Sequence, residues 1–252
     1  MSGFLTGRTS LTSVQTADIA DNAITLDKLA HQADGSILTF GTDTAPALLA
    51  PDTSGQVLTT KGAGALPSFD AAASPALSFV STQVASDSAS IAFTGIDNSS
   101  DTWMVQMEGC RMATESYYMQ IHTSNDTSSH SYDTGASDYG TAMIGAYYDT
   151  AYAKFDNEDD SILMGIDPYA GGSDATTGMS ARVHIHAPAN TDFHTLISWE
   201  WSLQQTSPAP YAMRTFGIGK RSAAEAVTAI KFSMVSGNLA EGRFSLYKLA
   251  HS

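Results

Sequence analysis

Apolar and polar residues alternate along the chain from Leu77 onward, and the alternation has a period of two. In "FHTLISWEWSLQ", Ile197, Trp199, Trp201 and Leu203 fall on one face, with Ser198, Glu200, Ser202 and Gln204 on the other. "TWMVQME" groups Trp103, Val105 and Met107, and "AIKFSMV" groups Ile230, Phe232 and Met234 against Lys231 and Ser233. Successive side chains of a strand point to opposite faces, so this spacing predicts half-buried strands. Further strands are predicted over 78–84, 90–94, 117–122, 139–147, 161–166, 180–187, 213–220 and 243–249. No segment carries a long helical period. Many short strands joined by polar loops point to an all-β head over 77–252, a two-sheet sandwich of jelly-roll type. Trp199 and Trp201 are then core residues rather than a sugar-stacking platform. A domain of this length buries a sizeable core without disulfides.

The front of the chain follows another rule. Residues 1–76 hold Phe4, Phe40 and Phe69 as their only aromatics and are otherwise rich in Ala, Thr, Gly, Asp and Ser. "ADNAITLDKLA" offers Thr25 as a helix cap, then a turn or two of helix formers with Ile24, Leu26 and Leu29 as apolar contacts. "GSILTF" and "GQVLTT" are short glycine-led β-prone runs, the second containing Val57 and Leu58. So short a helix is marginal alone in water. Either this section is a disordered tail, or Ile24, Leu26, Leu29, Val57 and Leu58 are buried between copies of the chain around a symmetry axis. The second alternative predicts an extended, intertwined shaft with a short helix.

Charge narrows the partners. The chain has 26 acidic and 12 basic residues, a formal charge of −14. Phosphate recognition needs a Lys/Arg footprint, so nucleic acid is not an expected partner. No apolar run approaches the roughly 20 residues that span a bilayer, and "MSGFLTGRTS" lacks the apolar core of a secretory signal. The expectation is synthesis in a cytoplasm without membrane insertion. Cys110 is the only cysteine, in strand-like surroundings, and reads as a buried inert thiol.

Candidate chemistry is sparse. There is no Gly-x-Ser-x-Gly elbow, and "GIGKRS" (217–222) lacks the earlier glycine of a phosphate loop. His184 and His186 would share a strand face, with His194 following, and imidazoles so spaced could ligate zinc or iron. Arg182 shares that face too, which favours a polar outward surface. "DNEDD" (156–160) could offer oxygens to Ca²⁺ but lacks the spacing and glycine of an EF-hand loop, so it reads as a solvated acidic loop. No carboxylate pair stands out for glycoside hydrolysis, and no cofactor is implied. The better recognition candidates are tyrosines expected in loops: Tyr147, Tyr148, Tyr152, Tyr169 and Tyr211. A tyrosine offers a rigid apolar face and a hydroxyl at low entropic cost, suiting glycan and protein contacts alike.

Two stretches resemble known proteins. "ADIADNAITLDKLA" followed by "GQVLTTKGAGALPSF" is similar to the attachment and shaft portions of bacteriophage fibre proteins. "SGNLAEGRFSLY", 236–247, resembles the close of the C-terminal head in some phage fibre and tail proteins. The resemblance implies a non-enzymatic, homotrimeric virion fibre, on head or tail. Residues 1–20 would attach to other virion proteins, 21–76 would form the shaft, and 77–252 the head that binds a host-surface glycan or protein. A capsid decoration or tail adaptor, and a glycan-hydrolysing tailspike, are the rival classes.

Overall fold

The computed structural model describes residues 34–40, 46–73, 76–97, 102–114, 118–147, 150–165, 177–205 and 211–249. The chain divides into two units, Met1–Ala73 and Ser74–Ser252. The described residues are all-β, with no helix among them. The expected short helix, with Ile24, Leu26 and Leu29, lies outside the described residues, as does the attachment segment 1–20.

The first unit contains two hairpins. β1 (Ile37–Phe40) pairs antiparallel with β2 (Pro46–Leu49), and β3 (Gln56–Thr59) with β4 (Ser68–Ala71). Leu38 stands opposite Leu48, and all of Leu38, Phe40 and Leu48 are exposed. On the second hairpin Val57 and Leu58 point to opposite sides, and both are exposed. Asp70 is held by Lys61, Thr59 and Ser68, and the Lys61 hydrogen bond first of all lowers its carboxyl to about 2. A lone two-stranded hairpin with its apolar side chains in water is marginally stable.

The second unit is two sheets sharing one core. Its strands are β5 (Leu77–Ser88), β6 (Ser90–Thr94), β7 (Thr102–Met112), β8 (Met119–Ser124), β9 (Tyr139–Tyr147) and β10 (Thr150–Asp159). They continue as β11 (Ile162–Leu163), β12 (Gly178–His186), β13 (Leu196–Gln205), β14 (Tyr211–Arg221), β15 (Ala229–Met234) and β16 (Leu239–Leu249). The larger sheet has the order β10-β9-β14-β13-β12-β7-β16-β5, and the smaller β11-β8-β15-β6. Trp103, Val105, Val183, Trp199, Trp201 and Phe244 of the larger sheet are buried in one cluster with Ile91, Phe93, Ile121 and Phe232 of the smaller. The rings of Phe232 and Phe244 meet across it at 5.9 Å.

Two sequence features explain how the layers fit. Gly217 and Gly219 point inward from β14, where any side chain would collide with the Trp199 ring and with Ile162 respectively. Trp199 from the adjacent strand β13 and Ile162 from β11 of the smaller sheet therefore fill the space that β14 leaves empty. Cys110 is fully buried, and that burial pushes its thiol up to about 12, so it is inert at neutral pH.

One predicted loop is a strand. "TAYAKFDNED" forms β10, hairpinned to β9 with an irregularity between Asp156 and Asp159. Its alternation was masked because the outward positions Ala151 and Ala153 are as small as loop residues. The expected solvated loop 156–160 is thus mostly strand edge, with Lys154 3.8 Å from Asp156 and 3.9 Å from Asp159.

Candidate interaction face

The outer face of the larger sheet changes character across its width. Cross-strand register sets which residues share it. Ala142, Ile144 and Ala146 of β9 stand opposite Phe155, Ala153 and Ala151 of β10. On the other side of β9 they pair with Ile218, Phe216 and Arg214 of β14. Three adjacent strands thus present apolar side chains outward, while Tyr139, Met143 and Met213 face the core. Phe155 is 76% exposed, Ile144 58% and Phe216 44%. A shallow recess of about 720 Å³ lies between Ile144, Ala146, Ala153 and Phe216. Among the described side chains of these three strands, no carboxylate shares this outward face with Ala142, Ile144, Ala146, Ala151, Ala153, Phe155, Phe216 and Ile218, in a chain with 26 acidic residues.

A polar band borders this area. The Arg214 guanidinium lies 4.7 Å from the Phe216 ring centre and donates to Glu200 Oε2 at 2.8 Å. Arg182 approaches the other Glu200 oxygen at 3.4 Å and donates from Nε to Gln106 Oε1 at 3.2 Å. One carboxylate is therefore shared by two guanidiniums. His184 and His186 continue the band, their rings stacked at 6.0 Å, and His186 Nε2 lies 2.8 Å from the Ser198 hydroxyl. Burial lowers the pKa of both imidazoles, and for His184 the neighbouring His186 and Arg182 add to it, so both are neutral at pH 7. Among the described residues no cluster of three or more His, Cys, Asp or Glu is placed to hold a metal ion.

Of the sequence-predicted tyrosines, Tyr152 alone has its side chain among the described residues. Tyr148 and Tyr169, and the side chains of Tyr147 and Tyr211, lie outside the described residues. Tyr152 is a strand residue and not a loop residue. Its ring packs beneath Gly145 against the core, its hydroxyl is 2.6 Å from Thr215 Oγ1, and burial raises its phenol. Of the predicted shaft contacts, Val57 and Leu58 are described and exposed. "GIGKRS" runs along the end of β14, where Gly217 and Gly219 serve packing.

The apolar face itself was not singled out from sequence, although a signal was present. "TAMIGA" and "TFGIGK" place apolar or small residues at both parities. A strand covered on both faces reads that way. The chain matches no family model, no curated protein and no solved structure.

Proposed function

We propose that the chain is a homotrimeric structural fibre protein of a bacteriophage virion, whose head binds a host-surface glycan or protein without turnover. The observation that carries this reading is the apolar face formed by β9, β10 and β14, with no carboxylate among its described side chains, on so acidic a chain. Surfaces of this kind mark sites of association. Exposed Leu38, Phe40, Leu48, Val57 and Leu58 on hairpins without a core of their own support the same conclusion for the shaft. The front-end resemblance to phage fibres supports the assignment to a virion, with 1–20 as the attachment segment.

We read the head as a jelly-roll variant. The chain passes between the two sheets at β5–β6, β6–β7, β7–β8, β8–β9, β10–β11, β11–β12, β14–β15 and β15–β16. Three weak receptor sites on one axis, repeated over several fibres, would gain residence time through effective concentration. Tyr147, Tyr148, Tyr169 and Tyr211 are kept as receptor contacts. Light scattering after size-exclusion chromatography of the full-length protein tests the assembly, and binding of the labelled protein to a panel of bacterial envelopes tests the adhesion. Three chain masses and saturable binding are expected. A monomer would remove the fibre, and a trimer that binds no envelope would leave a decoration or adaptor protein.

A further inference from the structure

The larger sheet carries a second apolar surface at its other edge, on β5. Val84 is 65% exposed and Phe79 60%, and Leu77 and Val80 are exposed as well. Register fixes the side they occupy. Phe244 and Leu246 of β16 face the core and stand opposite Gln83 and Ser81. Val84 and Phe79, opposite Arg243 and Tyr247, therefore point outward, and the register shift between Leu246 and Tyr247 adds Val80 beside them. Tyr247, the last residue of "SGNLAEGRFSLY", meets the Phe79 ring edge-on at 5.7 Å and supports it from β16. A long edge strand normally carries lysine, proline or an inward charge that keeps other chains away. β5 runs for 12 residues, and none of these devices lies between Leu77 and Ser86.

One sheet face thus ends in an apolar surface at each edge. Seven strand spacings of about 4.8 Å put the two edges roughly 34 Å apart. Between them runs the polar band in which Arg182 and Arg214 neutralise Glu200, and that band needs no partner. The two surfaces match in size. Ile144, Phe155, Phe216 and Ile218 on one, and the four β5 residues on the other, are each roughly half exposed. At about 200 Å² for a large side chain, each surface leaves about 400 Å² of apolar area in water. Pressed together they would bury about 800 Å², which at a non-polar share of about 57% corresponds to an interface of about 1,400 Å². Stable protein–protein joints have that size.

We infer that the two surfaces are halves of one joint, in which the β5 ridge of each head sits on the β9–β10–β14 face of the next copy of the chain. Each copy then uses both surfaces once, and no apolar edge is left in water. A face that met its own copy would close a two-fold dimer and leave β5 uncovered. Two different surfaces that meet by rotation generate a ring instead. Three copies make the ring that the trimeric reading requires. The inference rests on that reading and names the surface of the neighbouring copy that the apolar face takes.

The test is complementation between two full-length variants, each of which spoils one surface. Phe155→Asp has a damaged face and an intact ridge, and Val84→Asp has the reverse. Sedimentation equilibrium of each alone should show association weakened at least about tenfold relative to wild type. An equimolar mixture should regain one intact joint and give two chain masses but not three, because the face and ridge left over are both damaged. General repulsion from the added carboxylates would not be repaired by mixing. Urea unfolding of both variants should match wild type, since both side chains are exposed; Phe79→Ser takes the place of Val84→Asp if that head is destabilised. A ridge variant that assembles like wild type, or a mixture that stays at one chain mass, would overturn the joint and leave the trimer standing. Two chain masses for the wild type would overturn it in favour of a face-to-face pair. A monomeric wild type would remove the trimeric reading and the joint with it.

Discussion

Phe155→Asp separates folding from association. Phe155 sits on the edge strand β10 with 76% of its surface in water, so its removal takes little from the core of a single chain. Complete burial of a phenylalanine from full exposure is worth up to about 3 kcal/mol. Scaled by the exposed fractions, covering the face would gain about 2 kcal/mol at Phe155 and about 1.5 at Ile144. Phe216 would add about 1 kcal/mol. Both partners of a contact contribute, which sets the gain within the roughly 4–15 kcal/mol that association costs in lost freedom. The face is thus sufficient only if most of it is covered, and losing one phenylalanine should be decisive. Phe155→Asp removes about 2 kcal/mol per copy, at least a thirtyfold weakening at about 1.4 kcal/mol per decade, and adds a carboxylate that must be desolvated. Phe155→Leu keeps much of the apolar area and should weaken association by less than tenfold. The assay is sedimentation equilibrium over a concentration series, paired with urea unfolding of the monomeric fraction. The expected result is dissociation of the Asp variant with an unfolding free energy within about 0.5 kcal/mol of wild type, as for exposed positions. An unchanged mass distribution would refute the assignment of this face, and a large loss of monomer stability would refute the claim that Phe155 lies outside the folding core.

The remaining predictions concern charge, packing and adsorption. His122 is buried beside the Tyr139 ring, and desolvation first, then Lys231, lowers its imidazole to about 4 against the opposing pull of Asp160 and Asp133. The unfolded chain binds a proton from about pH 6.5 downward while the folded chain resists to about 4, so this residue's contribution is intact above 6.5 and is lost as pH falls. At pH 4.5 the loss should be about 2.5 kcal/mol, and urea midpoints of His122→Phe should lack this part of the pH dependence; parallel curves for variant and wild type would sink it. Gly217→Val should destabilise the head by about 1–3 kcal/mol or more through overpacking against Trp199, read from the thermal midpoint, whereas Ala146→Val on the open outer face should be near neutral in the unassembled chain. Because the chain carries −14 and bacterial envelopes are also negative, adsorption should improve with ionic strength or with Ca²⁺ and Mg²⁺. Fastest adsorption at the lowest salt would contradict that.

How much of this was legible in the chain depended on contrast between the two faces of each strand. β13 alternates Ile, Trp, Trp and Leu with Ser, Glu, Ser and Gln, and Leu196–Gln205 is where the pattern placed it. β9 and Ser90–Thr94 likewise matched their expected bounds. β10 lacked contrast, since its outward alanines resemble a loop, and with it went the position of Tyr152. β14 was legible as a strand but not as to its faces. Glycine normally argues against burial of a face, yet Gly217 and Gly219 face the core because Trp199 and Ile162 fill their space, which sends Phe216 and Ile218 outward. That inversion depends on a neighbour some twenty residues earlier in one case and more than fifty in the other, which no local period records. The pairing of β6 with β15 in the smaller sheet is further removed still, across more than a hundred residues. Local alternation therefore locates strands and most of the core. An outer face that keeps apolar side chains in water is set by topology, where strands pair so that a residue's usual preference for inside or outside is reversed, and Phe155 on β10 beside Ile144 on β9 is such a reversal.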